Sequence, residues 1–377
     1  MIKENLVFTA VGQGGGNIVR ELELNDCQTF YVNTSIEDLE SLETNPDKWY
    51  HIENTKGMAK DIEYGKEVIT SNYNDEKIAE KIYKKYANAS IYTLVFTSSG
   101  GTGSSMSPYI ARAIHDMYPD KIINAITVLP HAEEDMVMQY NSIECLKELQ
   151  LLIEEGVITS LIILDNNKKD YDKKLEINKE FASIIDKVLS FNSDSIDGNL
   201  DEEEIERLFS TPGVMTIHEL DNADFIDSLT RVDDKSIFAK NSKIVKTHGL
   251  ILNGEQNNST SINLIRETFG MPMVTHTTTW DEDFNIVIST GINFEEEKDN
   301  IVIKKLKKTY NDLKERKRKI EENLKQQLEE NEDISVDFGD IKSAHRTGKT
   351  APATERTGRT RGRRKDLGVK GESRFRR

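Results

Sequence analysis

The chain has 377 residues, 36% of them hydrophobic, which is room for two domains with a sizeable core plus extensions. Two cysteines, Cys27 and Cys145, without paired spacing argue against a disulfide framework and for a reducing cytoplasm. The net charge of −16 is unevenly placed: residues 342–377 hold 13 Lys and Arg against three acids, a balance of +10, so residues 1–341 carry −26.

No run approaches the roughly 18 apolar residues of a membrane span, and the N-terminus lacks a signal-peptide pattern. The expectation is a soluble cytoplasmic protein with no membrane partner. No His/Cys cluster has metal-ligand spacing, so no protein-held metal is expected.

In chain order, residues 5–11 read as a buried strand running into Gly12-Gln13-Gly14-Gly15-Gly16-Asn17, with a helix from Ile18. This glycine-rich loop has Asn17 where the dinucleotide fingerprint wants its last glycine, and it lacks the Gly-Lys-Ser/Thr of a P-loop. A strand over 29–32 ends at Asn33-Thr34-Ser35, where Ser35 or Thr34 can cap a short helix. A polar turn follows, Glu53-Asn54-Thr55-Lys56-Gly57-Met58-Ala59-Lys60, and then a charged helix, in one or two pieces, to about Ala87.

The most informative stretch is Phe96-Thr97-Ser98-Ser99-Gly100-Gly101-Thr102-Gly103-Ser104-Ser105. An apolar strand over 91–96 leads in, and Met106, Ile110, Ala113, Ile114 and Met117 follow at helical spacing, with Ser104 or Ser105 available as cap. Strand, glycine-rich loop and helix N-terminus together suit a polyphosphate. Glycines let the backbone approach the anion, and the N–H groups and helix dipole favour negative charge. A ligand-free tight turn is the plainer alternative.

Further strands are expected over 122–129 and 157–164, with a helix over 134–154 between them. Strands alternating with helices indicate a parallel, doubly wound α/β sheet with ligands at the carboxyl strand ends. A long helix over about 175–191 leads to the acidic stretch Asn199-Leu200-Asp201-Glu202-Glu203-Glu204. Strands near 213–219, 243–252, 272–280 and 284–292 around a helix near 261–269 suit a smaller α+β domain. Over 295–330 a charged helix rests an apolar stripe (Leu306, Tyr310, Leu313, Ile320, Leu324) on the body. Residues 342–377, with almost no apolar content, are expected to be disordered.

These motifs together resemble the tubulin/FtsZ superfamily of filament-forming GTPases, and within it the TubZ-type proteins of plasmid and phage partition systems. The resemblance covers about residues 5–291. It implies a GTP-binding domain over 1–174, a central connecting helix over 175–198, an activation domain over 199–294, a C-terminal helix over 295–332 and a tail over 333–377. Gly12, Gln13, Gly14, Gly15, Gly16 and Asn17 match the first nucleotide loop. Asn33 and Thr34 match the second, and Thr55–Ala59 with Gly57 look like the third. Gly100, Gly101, Thr102, Gly103 and Ser104 match the signature loop, with Ser99 and Ser105 where the family pattern has, or often has, glycine. Glu134 resembles the acid that binds ribose, Asn166 the asparagine that reads guanine, and Asn178 or Asp186 the second base contact, Asn178 being preferred. Asn199, Asp201 and Glu204 fit the catalytic N-x-D-x-x-D/E loop, which that family inserts into the next subunit's nucleotide pocket. GTP/GDP with Mg²⁺, self-assembly into a polar head-to-tail filament and a bacterial cytoplasm are implied with them. An acidic helix start favoured by the dipole is the plainer reading of the last motif.

The tail segment 356–365 has six basic residues in ten and lacks interleaved aromatics, so salt-dependent phosphate contact is expected rather than base reading. By resemblance, its partner is a TubR-like DNA-binding adaptor on a centromere-like site. An FtsZ-like division filament, a non-polymerising nucleotide-binding regulator and, poorly, a nicotinamide-dependent oxidoreductase are the competing readings.

Overall fold

A computed structural model describes residues 2–190, 200–295 and 297–330. The chain divides into two compact units, Met1–Ile320 and Glu321–Arg377. The second, where described, is helical from 321 to 330. Asn199 and the tail over 342–377 lie outside the described residues.

Ten strands make up the first unit's sheet: β1 Leu6–Val11, β2 Gln28–Asn33, β3 Trp49–His51, β4 Ile91–Thr97, β5 Ile122–Leu129, β6 Ser160–Asp165, β7 Gly213–Asp221, β8 Thr247–Asn253, β9 Val274–Trp280 and β10 Phe284–Ile292. They form one continuous sheet in the order β3-β2-β1-β4-β5-β6-β7-β10-β8-β9. From β3 to β7 every pairing is parallel, and β10 runs antiparallel to β7 and β8. The strands of 1–174 and of 199–294 therefore share one sheet, joined where Ser160–Ile162 pairs Gly213–Met215.

Among the described residues twelve α-helices accompany them: α1 Gly12–Glu23, α2 Ile36–Glu40, α3 Ile62–Thr70, α4 Asn74–Tyr86, α5 Gly101–Met117, α6 Met136–Glu154, α7 Glu176–Leu189, α8 Glu202–Phe209, α9 Phe225–Thr230, α10 Val232–Lys235, α11 Ser259–Phe269 and α12 Ile301–Glu330. β1 is buried along its whole length, as a central parallel strand covered on both faces must be. Its alternate residues feed two cores. Val7 and Val11 join Met106, Ile110, Leu146 and Leu149 of α5 and α6 on one face. Leu6, Phe8 and Ala10 join Ile18, Leu22, Phe181, Ile185 and Leu208 of α1, α7 and α8 on the other.

Several boundaries depart from expectation for local reasons. Val157 and Ile158 do not enter β6, because their N–H groups close the end of α6 on Leu152 O. The charged helix before residue 87 is in two pieces, as the sequence allowed, broken at Asn72 and Tyr73, both in the left-handed region (φ 53° and 56°). The C-terminal helix starts only at Ile301, where Asn300 Oδ1 accepts the N–H groups of Val302 and Ile303. Within the first unit its stripe is also shorter than expected: Leu306 is buried, whereas Ile320 is more than half exposed.

Candidate nucleotide site and acidic pair

Both glycine runs are helix, not loop. α1 starts directly at Gly12 and α5 at Gly101, so the glycines form the first turns of helices that leave the carboxyl ends of β1 and β4. Neither N-cap residue, Val11 or Gly100, has a side chain capping the first N–H groups. Ser104 and Ser105, expected as caps, sit inside α5 and donate back to Gly100 O and Gly101 O. The two turns touch: a Cβ on Gly12, whose φ is +76°, would lie 3.2 Å from Gly103 N. At Gly15 only glycine fits, since a Cβ there would lie 2.0 Å from Val95 O. The result is two adjacent uncapped helix N-termini with open backbone approach, a ready anion cradle.

Two further segments close on this pair. Thr34 Oγ1 lies 2.9 Å from Thr102 Oγ1, tying the end of β2 to α5. Thr34 O accepts from Thr55 Oγ1 and from Gly57 N–H, which draws in the third segment. Met58 and Lys60 then pack against Gly101, where a Cβ would meet Met58 Cβ at 2.6 Å and Lys60 N at 2.9 Å. Lys60 Nζ donates to Asp135 Oδ2 at 2.8 Å, and that pair holds the Asp135 carboxyl below its usual range. Asn33 is spent on its own turn, accepting from the N–H groups of Thr34 and Ser35. Gln13 Nε2 reaches Asn17 Oδ1 and Ser41 Oγ, while its Oε1 is buried without a hydrogen-bond partner.

A corner of polar residues flanks the cradle at the ends of β5 and β6. Glu134 accepts from His131 N–H and from Lys174 Nζ (2.6 Å). Burial alone would depress Lys174, but the Glu134 carboxylate, with hydrogen bonding from Tyr171, outweighs burial and raises it. Asn167, not singled out in the sequence, bonds Ala132 N–H, Pro130 O and the Asp165 carboxylate. Asn166 opens the short turn beside it and leaves its amide unused among the described residues. Asn178 lies in the first turn of α7, four residues after Lys174, which pairs with Glu134. Asp186 does not: it pairs with Lys3 at 2.7 Å, ahead of the amino end of β1, near the far end of α7. Asp186 therefore lies away from the Glu134 corner, towards the opposite edge of the sheet.

The acidic pair lies at that opposite edge too. Asp201 caps α8, its Oδ1 accepting the N–H groups of Glu203 and Glu204. α8 sits beside the amino ends of the strands, where Asn5 Nδ2 donates to Glu206 and Asn124 Nδ2 to Phe209 O. Hydrogen bonding between the two side chains, with the capped N–H groups, lowers Asp201, and the same shared bond raises Glu204. One carboxylate thus stays charged while its neighbour holds a proton more readily. Arg207 pairs with Glu203 and Glu204.

Residues 5–169 match the model of the tubulin/FtsZ family GTPase domain. The tubulin-like protein TubZ of Clostridium botulinum C phage is 32% identical over 295 residues, covering 77% of this chain and 80% of the relative. The chain belongs to the tubulin/FtsZ family. As a TubZ-like tubulin-family GTPase it shares the fold of the crystal structure of Clostridium botulinum phage c-st TubZ, with a TM-score of 0.73 at 29% identity, over 83% of this chain and 99% of that one. A GTPγS-form protofilament of Bacillus thuringiensis serovar israelensis TubZ has the same fold (TM-score 0.70, 16% identity, 85% of this chain and 94% of that chain). Among the described residues no helix is long and apolar enough to cross a membrane, and none of their acidic, His or Cys side chains cluster as a metal site.

Proposed function

We propose that this chain is a filament-forming GTPase whose active site is shared between adjacent subunits, and that its filaments segregate plasmid or phage DNA. The observation that carries the reading is the separation of the two half-sites. The glycine turns, Thr34, Gly57, Glu134, Asn166 and Asn178 occupy the carboxyl edge of the sheet, and Asp201 and Glu204 the amino edge. Within one chain the acids cannot reach the phosphates. Head-to-tail stacking of identical subunits brings one edge onto the other.

Both edges carry apolar side chains that suit such a contact. Leu175 (64% exposed) and Val137 (49%) lie at the carboxyl edge, and Ile244 (69%), Met271 (73%) and Met273 (88%) at the amino edge. Relatives solved as protofilaments and as a two-stranded filament support assembly into filaments.

In this mechanism the uncapped N–H groups of α1 and α5 hold the phosphates, and Gln13 Oε1 offers its vacant acceptor to a donor on the nucleotide or its water shell. Asn166 and Asn178 face the base and Glu134 the ribose. Asp201 of the next subunit, kept charged by Glu204, orients the attacking water and takes its developing positive charge. Mg²⁺ would enter with the nucleotide and would neutralise phosphate charge there.

The basic tail is the proposed contact to a DNA-bound adaptor of the TubR kind. Its removal (residues 342–377) should abolish co-sedimentation with adaptor and DNA while sparing GTP hydrolysis; unchanged co-sedimentation would reject the assignment. Electron microscopy with GTP tests the filament itself. Polymers with GTP are expected, and persistent monomers at high concentration would favour a non-polymerising regulator.

A further inference from the structure

Asp165, the last residue of β6, is 2% exposed, and a buried carboxylate needs its oxygens filled. Its Oδ1 accepts from Asn167 N–H (3.0 Å) and Asn167 Nδ2 (2.7 Å). Its Oδ2 accepts from Lys305 Nζ at 2.7 Å, across 140 residues of sequence. Lys305 belongs to the first turns of α12, which the buried Val302, Ile303 and Leu306 fix to the body. From Asp165 the connection continues outward. Asn167 Oδ1 accepts Ala132 N–H and its Nδ2 donates to Pro130 O, so it clamps the turn that carries Glu134. Asn166, next in the chain, is presented by the same short turn.

We propose that Lys305 is a positioning residue for nucleotide recognition: through Asp165 and Asn167 it fixes the corner that offers Asn166 to the guanine base and Glu134 to the ribose. The inference rests on the nucleotide reading given above. Asp165 has three donors, two from one asparagine and one from α12. Without the ammonium, the carboxylate is left buried and under-neutralised. The cheapest relief is for Asp165 and Asn167 to turn towards water, which releases the Pro130–Glu134 turn and swings Asn166. The apolar stem of Lys305 is not needed for this, so Lys305→Met keeps the packing and removes only the charge.

The test is equilibrium binding of fluorescent GDP, with GDP and ADP as competitors, at protein concentrations below assembly. Lys305→Met should weaken GDP binding about tenfold, the scale of one lost charged hydrogen bond, and narrow the preference for guanine over adenine. Lys305→Arg should restore both. Asn166→Ala is the reference and should abolish the preference. If Asn166→Ala keeps the preference, the nucleotide reading of this corner fails. If Asn166→Ala loses it while Lys305→Met binds as the parent chain, or weakens GDP and ADP equally, the positioning role fails and the nucleotide reading stands. Should Lys305→Met not fold, Lys305→Gln, which also removes the charge and keeps a polar end on this half-exposed side chain, carries the test with the same contradicting outcomes.

Discussion

Thr34 Oγ1 and Thr102 Oγ1 lie 2.9 Å apart, both buried, and join the end of one parallel strand to the first turn of the signature helix. The pair makes two nucleotide segments a single unit. Thr102→Val leaves the Thr34 hydroxyl buried without a partner and should cost about 1–2 kcal/mol. The double variant, with Thr34→Val, should cost less than the two single changes combined. Urea unfolding of the four proteins checks both statements.

Gly15 and Gly57 should differ sharply when changed to alanine. A Cβ on Gly15 meets a backbone carbonyl at 2.0 Å, so neither the strand nor the helix can yield cheaply. Gly15→Ala should cost about 3 kcal/mol or more. Gly57 has φ +83° with nothing within 4 Å, so Gly57→Ala carries only backbone strain of about 1 kcal/mol. Thermal unfolding distinguishes the two.

His218 makes acid stability predictable in sign. Its ring lies against Phe238 and Phe269, and burial pushes its pKa down from 6.5 to about 3, despite the opposing pull of Asp233. The folded chain keeps the ring neutral where the unfolded chain protonates it. The contribution is therefore complete above pH 6.5 and declines as pH falls from 6.5 towards 3. By pH 4 the loss is at most about 3 kcal/mol, because the residue is not wholly covered. Replacing it, as in His218→Phe, should flatten the stability profile between pH 6.5 and 4, measured by denaturant unfolding.

Asp201 has two jobs, so alanine there confounds them. It caps α8, and Asp201→Ala should lower stability by about 1 kcal/mol on that ground alone. Asp201→Asn retains a capping oxygen and removes the charge. It should leave stability and GTP binding nearly unchanged, cut hydrolysis at least about 100-fold and leave long-lived filaments. Glu204→Gln should act in the same direction, more weakly. Filaments of Asp201→Asn that disassemble at the parental rate would contradict the catalytic role.

The parts visible in the sequence were those written in local pattern. Strand β1 is an unbroken apolar run, the glycines stand at strand ends, and Ser35 caps α2 as its position implied. Helix starts at Gly12 and Gly101 are not legible in the sequence because glycine is a poor helix former, and tertiary contact with Thr97, Val95 and Phe96 overrides that propensity. β3 escaped notice: three residues, Trp49–His51, have too little periodicity to register. Long-range polar links such as Lys305 with Asp165, or Lys174 with Glu134, leave no trace in spacing at all. The direction of α7, which separates Asn178 from Asp186, comes from long-range contacts such as Lys3 with Asp186 and Lys174 with Glu134.

The central claim is that each chain holds half of two active sites. The most direct measurement is the GTP hydrolysis rate per subunit as a function of protein concentration. A steep rise above a threshold that coincides with the onset of light scattering is predicted. A rate per subunit that stays constant from well below that threshold to well above it would contradict the shared site.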